Sequence, residues 1–265
     1  MNDIGQTEFA AALAAFGWEN CSLQEDRLMV GLGPDAEYQR GPVSAVPAPL
    51  SAVHFLQAPL QSGLVAALAR SPEQEEVEQL FLGTSHDYAK QRRGDYDMRD
   101  AVAALARGAF PRLTALCLGD MHMLFNGHRY FGRLGDIGPA LARMPTLQSL
   151  TLHGQCELSA PLQLSHLQEL FLEADDIGVS GGPISQSTVD ALLTSDLPAL
   201  EKLELSLDEG DLDWLYDISE ETLAGLKMPR LKGIWIDCLT PEAETRLDNF
   251  KARLSEAGRP TPPDQ

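Results

Sequence analysis

Leu147-Gln148-Ser149-Leu150-Thr151-Leu152, then Leu167-Gln168-Glu169-Leu170-Phe171-Leu172, then Leu200-Glu201-Lys202-Leu203-Glu204-Leu205 are the stretches on which the fold is read. Each places aliphatic residues first, fourth and sixth. The last two bracket a single variable residue, the two-residue period of a strand with one buried face. Working outward, the same spacing recurs at Leu50-Val53-Phe55, Val77-Leu80-Leu82, Leu113-Leu116-Leu118 and Leu231-Ile234-Ile236. The seven copies start 27, 36, 34, 20, 33 and 31 residues apart, and Pro198 and Pro229 each stand two residues before a leading Leu. Self-similarity at such periods marks a chain built from stacked supersecondary units.

The longer units have room for a helix after the strand, and helical spacing of apolar residues predicts helices over 63–71, 98–108, 137–143, 186–194 and 220–226, with Ser187 and Ser219 as N-caps. The 20-residue step from Leu147 to Leu167 has no such room. Ahead of the repeats, 8–16 reads as an amphipathic helix, 28–32 as a strand and 41–49 as a Pro-containing connector; behind them, Ala243, Leu247, Phe250 and Leu254 define a helix over 241–257.

The pattern LxxLxL over about 50–238 resembles the leucine-rich repeat family. The resemblance implies an α/β solenoid, a horseshoe with a short-strand parallel sheet on its concave face, helices and loops on its convex face, and helical end caps. It divides the chain into an N-terminal cap (1–49), seven degenerate repeats (50–239), a C-terminal capping helix (240–257) and a flexible tail (258–265). The family's inter-turn asparagine is missing. Its positions hold Ala58, Ser85, Met121, Gln155, Asp175, Asp208 and Leu239.

Composition narrows the classes of function. Of the residues, 44% are hydrophobic and 22% charged, and no apolar run approaches the roughly 18 residues of a membrane span. No basic residue precedes an early apolar stretch, so a secretory signal is not expected and the reading is cytoplasmic, with no membrane association. Cys21, Cys117, Cys156 and Cys238 are scattered without metal-ligand spacing and read as free thiols. A net charge of −19 repels phosphate backbones, which argues against nucleic acid and for a basic protein partner. The charge is uneven: fifteen acids face one base, Lys202, over residues 167–222, whereas nine bases face five acids over 88–143.

Alternation sends the residue between the last two aliphatics to the concave face: His54, Phe81, Cys117, Thr151, Phe171, Glu204 and Trp235, flanked two residues on by Gly83, Gly119, His153, Glu173, Ser206 and Asp237. Phe81, Phe171 and Trp235 among the carboxylates of Glu173, Glu204 and Asp237, with Glu169 and Glu201 beside them, read as aromatic anchors with a charged rim. The competing reading leaves these aromatics covered by loops, with Trp235 under the C-terminal helix. Two loops offer further surfaces. The apolar stretch 121–131 includes the turn Asn126-Gly127, and the acidic stretch 208–217 surrounds Trp214 and Tyr216, which either clamp a partner's Arg or Lys or tuck inward.

No phosphate-binding glycine motif, nucleophile elbow or calcium loop is present, and neither a metal nor a cofactor is expected. The expectation is a non-catalytic protein–protein interaction module that binds a basic partner through the concave face, in the manner of an inhibitor or immunity-type protein. A self-associating scaffold or adaptor, and an enzyme with an unrecognised site near His122 and His128, stand as alternatives. Oligomeric state is left open.

Overall fold

In a computed structural model, residues 7–17, 21–24, 27–31, 45–46, 48–55, 61–83, 96–119, 132–174, 184–207 and 215–257 are described. Among them the strands are β1 (Cys21–Gln24), β2 (Arg27–Val30), β3 (Ala52–Phe55), β4 (Gln79–Leu82), β5 (Tyr96–Asp97), β6 (Ala115–Leu118), β7 (Gly132–Asp136), β8 (Ser149–Glu157), β9 (Glu169–Glu173), β10 (Lys202–Ser206) and β11 (Gly233–Ile236). The helices are α1 (Glu8–Phe16), α2 (Gln61–Arg70), α3 (Arg99–Leu105), α4 (Gly138–Leu141), α5 (Gln186–Leu193), α6 (Glu220–Ala224) and α7 (Pro241–Ala257).

All seven aliphatic triplets lie in and just before strands. The sheet runs β1-β2-β3-β4-β6-β8-β9-β10-β11, and β5 pairs with β7, which pairs with β8. β1 and β2 are antiparallel; the other named pairs are parallel. Val53, Leu80, Leu116, Leu150, Leu170, Leu203 and Ile234 form one register row, and each is at most 6% exposed. That row and the row of Phe55, Leu82, Leu118, Leu152, Leu172, Leu205 and Ile236 make the core. Burial of each such side chain contributes about 1.5–3 kcal/mol.

One turn feeds most of these strands. The leading Leu N–H donates to the carbonyl three residues back: Leu113 to Phe110 (3.3 Å), Leu147 to Met144 (3.2 Å), Leu167 to Leu164 (3.4 Å), Leu200 to Leu197 (3.0 Å) and Leu231 to Met228 (3.1 Å). The first residue of each turn is a buried apolar side chain. Pro111, Pro145, Pro198 and Pro229 occupy the second position in four of them, where a fixed φ near −65° is pre-set for the turn.

The leucine-rich-repeat expectation does not hold. The strands form an open parallel sheet flanked by helices, uncurled and unclosed, in place of a curved solenoid or horseshoe with helical end caps. Two physical causes are visible. A helix is about 10 Å across and a strand occupies about 4.8 Å, so a full helix behind every strand forces a sheet to curl. Here α4 has four residues and α6 five, and no helix separates β8 from β9. The second cause is the missing asparagine. At Gln155 no side chain of that kind turns the chain, so β8 continues to Glu157, and its second half builds a separate ladder with β7. The ends also differ. α1 packs beside α2, and α7 beside α6, extending the helical layer, while the antiparallel pair β1–β2 forms the front edge of the sheet.

The predicted helices form, mostly shorter than read. The N-cap of α5 is Ser185 in place of Ser187: its hydroxyl accepts Thr188 N–H at 3.2 Å. Ser219 caps α6 as expected, accepting Thr222 N–H at 3.0 Å. Gly119 marks the tightest backbone approach after β6. Its φ is +96°, and a Cβ there would stand 2.2 Å from the His153 carbonyl oxygen, so only glycine fits.

Candidate functional site

Strand alternation, which buries the aliphatic rows, delivers the intervening residues to the opposite face in register. Met29, His54, Phe81, Cys117, Thr151, Phe171, Glu204 and Trp235 are consecutive neighbours across the sheet. From His54 to Glu204 the row is half-buried, and Trp235 is 45% exposed. The stripe read from the sequence is therefore a physical row, on a flat face where a concave one was expected.

His54 lies over Phe81 with ring centroids 5.6 Å apart. Burial, aided by Arg27, depresses the His54 pKa, so the ring is neutral at physiological pH. His153 packs against Phe171 with the rings inclined at 60° and centroids again 5.6 Å apart, and its Nδ1 lies 3.0 Å from a Glu173 carboxylate oxygen. This contact fixes the imidazole that backs the Phe171 ring. Glu204 is held by the Lys202 ammonium at 2.9 Å. Lys202 itself is flanked by Glu169 on one side and Gly233 on the other. A depression of about 40 Å³ opens between Ser149, Thr151, Glu169, Phe171, Lys202 and Glu204.

Phe81, Phe171, Glu173, Glu204 and Trp235 thus share one accessible face. Asp237, at the end of the next row, is committed to the fold: its carboxylate accepts Leu207 N–H at 2.5 Å and the Ser206 hydroxyl at 3.1 Å. Burial pushes its pKa up in spite of those bonds. Tyr216 is a correction. It is 1% exposed, and its hydroxyl donates to the Ile184 carbonyl at 2.7 Å, so its ring is core and unavailable to a partner. Trp214, the stretch 121–131 and the histidines at 122 and 128 lie outside the described residues.

Sequence reading missed a second concavity. A cavity of about 400 Å³ lies between β7, the end of β8 and the start of α5. Its polar lining is largely engaged by the protein. Arg99 forks onto Asp97 at 2.5–3.1 Å, which holds the Asp97 carboxyl below its usual pKa. Asp136 accepts Gly138 N–H at 3.1 Å, and Thr188 Oγ1 accepts Leu158 N–H at 3.4 Å. The Cys156 thiol in its wall is pushed up to about 12 by burial, which leaves it un-ionised and a poor nucleophile. The run Gly132-Arg133-Leu134-Gly135-Asp136 falls outside the LxxLxL spacing, and that irregularity is the sequence signal for the extra ladder.

Among the described residues no group of three or more His, Cys, Asp and Glu side chains is placed to hold a metal ion, and no helix is long and apolar enough to cross a membrane. No protein-family model matches the chain, and no curated protein matches it. A crystal structure of a Bacteroides fragilis protein, solved as a structural-genomics target, matches at 24% identity over 65% of this chain, with a TM-score of 0.40. The match covers 47% of that protein, so the chain spans about half its length. So weak a likeness decides neither fold nor function.

Proposed function

We propose that this chain is a protein-binding module, itself without catalytic chemistry, that holds a basic protein partner against the open face of its sheet, as an inhibitor or immunity-type protein does. The single observation that carries the reading is the in-register row in which Phe171, Glu204 and Trp235 are adjacent and accessible. A large apolar ring left 45% exposed beside carboxylates is costly to keep in water and is the composition of an interface anchor. The net charge of −19, with fifteen acids and one base over 167–222, supplies the steering field for a cationic partner. We place the protein in the cytoplasm; support comes from four cysteines that all stand as thiols.

The test is capture of a partner at low salt with wild-type protein and with a Phe171→Ala/Trp235→Ala double variant, followed by calorimetry on the purified pair. The expected complex is near-equimolar and salt-sensitive. The double variant weakens it about 1,000-fold, given roughly 2 kcal/mol for each of the two anchors, and keeps wild-type thermal stability to within a few degrees. A partner bound equally well by both proteins overturns the reading.

A further inference from the structure

Three adjacent strands place an aromatic ring, a carboxylate and a second aromatic ring side by side: Phe171 on β9, Glu204 on β10 and Trp235 on β11. At about 4.8 Å per strand the backbones of β9 and β11 run about 10 Å apart with the strand of Glu204 between them. A guanidinium laid on one ring face at van der Waals contact, about 3.5–4 Å away, can reach a neighbouring carboxylate with its edge. The position two residues before Trp235 on the same face is Gly233, where an added Cβ would meet nothing within 4 Å. In the neighbouring strands its register partners are Glu169 and Lys202, both with long side chains. The glycine therefore leaves open space on the β11 side of Lys202.

The site already holds a cation of its own. Lys202, the one base among fifteen acids over 167–222, places its ammonium 2.9 Å from Glu204. Its side chain is 62% exposed, whereas that of Glu204 is 28% exposed, so the carboxylate is seated and the lysine is only laid across it. An exposed pair of this kind is weak and readily exchanged.

We infer that this face contains a receptor for one arginine side chain of the partner, whose guanidinium enters the depression against the Phe171 ring, pairs with Glu204, and displaces Lys202. The inference rests on the protein-binding reading above and deepens it. Arginine fits where lysine does not: its head is planar, weakly hydrated and forked, so it stacks on the Phe171 ring while bonding a carboxylate edge-on. Glu169, across the depression, offers a second carboxylate. Lys202 then acts as a built-in competitor that keeps Glu204 neutralised until an arginine arrives.

The experiment titrates hexa-arginine and hexa-lysine peptides into wild-type protein and into Glu204→Gln, Lys202→Ala and Lys232→Ala variants at physiological salt. Lys232 pairs with Glu201 at 2.6 Å and is 72% exposed, so its removal matches the charge change of Lys202→Ala without touching the receptor. Wild type is expected to prefer hexa-arginine. Glu204→Gln weakens hexa-arginine about tenfold and erases the preference, and Lys202→Ala tightens it about threefold, more than Lys232→Ala does. The inference is overturned if the two lysine variants behave alike, if Glu204→Gln leaves the preference intact, or if neither peptide binds wild type and Lys202→Ala. These readouts need no natural partner. Should they fail while Phe171→Ala/Trp235→Ala still abolishes partner capture, the arginine receptor falls and the binding module stands.

Discussion

Replacing Asp237 by Ala and by Asn separates two roles that one carboxylate plays at the end of β11. Its oxygens accept Leu207 N–H at 2.5 Å and the Ser206 hydroxyl at 3.1 Å, and Leu207 is 1% exposed. Asp237→Ala leaves a buried N–H unpaired and removes a second bond, which together cost about 2–4 kcal/mol. For a chain of this size that lowers Tm by roughly 5–10 °C. Asp237→Asn keeps a carbonyl oxygen for Leu207 N–H and presents an NH₂ to Ser206 Oγ, which accepts as well as donates. It also removes the ionisation that burial opposes. The sign follows from proton counting. The folded Asp237 pKa is raised, so between the ordinary carboxylate value, 3.8, and the raised one the folded state binds more protons than the unfolded state. Wild-type stability from this group therefore falls as pH rises through that window. At neutral pH the Asn variant is expected to be at least as stable as wild type, and on acidification towards pH 4 wild type gains on it. Calorimetric melts from pH 4 to 7 check both statements. An Asn variant as unstable as the Ala variant, with no pH-dependent gain by wild type, refutes the reasoning and shows that the fold needs the anion.

Tyr216→Phe deletes a hydroxyl whose bond to Ile184 lies in the core, and is expected to cost about 1–2 kcal/mol in a denaturant melt while leaving partner affinity unchanged. Gly119→Ala forces a φ of +96° on an L side chain and drives its Cβ into the His153 carbonyl. The expected loss is about 3 kcal/mol, and amide exchange should show the β6–β8 ladder opening first. Thiol titration at mildly alkaline pH should modify Cys117 and Cys238, which are half-buried, and spare Cys21 and Cys156 until denaturant is added. For Cys156 the burial-raised pKa of about 12 adds chemical inertness to steric protection.

The strand registers and the accessible row were legible because period-two alternation acts locally: each triplet buries two aliphatics and leaves the residue between them outside. Hence His54 to Trp235 line up across strands separated by 20 to 36 residues of chain. The turn before each strand was half legible. Pro198 and Pro229 are visible in the sequence, but the role of Phe110, Met144, Leu164, Leu197 and Met228 as buried first residues of one recurring turn emerges only when the core is assembled. Tyr216 was opaque for a different reason. Flanking acids made 208–217 read as surface, yet a tyrosine buries its ring whenever its hydroxyl finds a partner, and that partner, Ile184, lies 32 residues away.

Curvature is the property that local patterning does not encode. Whether parallel strands lie flat or wrap into a horseshoe depends on the thickness of the layer behind them, a sum over connections each read separately. α2, of ten residues, would by itself wedge the helical side apart, but the four-residue α4, the five-residue α6 and the helix-free passage from Glu157 to Glu169 narrow it again. The aliphatic triplet, shared by any strand buried on one face, cannot distinguish the two outcomes, so a family inferred from the triplet alone inherits a shape that the connections do not support. The flatness has a functional consequence. On a concave face neighbouring side chains lean together and crowd a ligand, whereas on a flat face Phe171, Glu204 and Trp235 project from strands whose spacing of about 4.8 Å is not narrowed at their tips. An arginine in the depression before Phe171 needs those side chains kept apart, so a substitution thickening the helical layer behind β9 and β10 should weaken hexa-arginine binding in the same titration without altering any residue that touches the peptide.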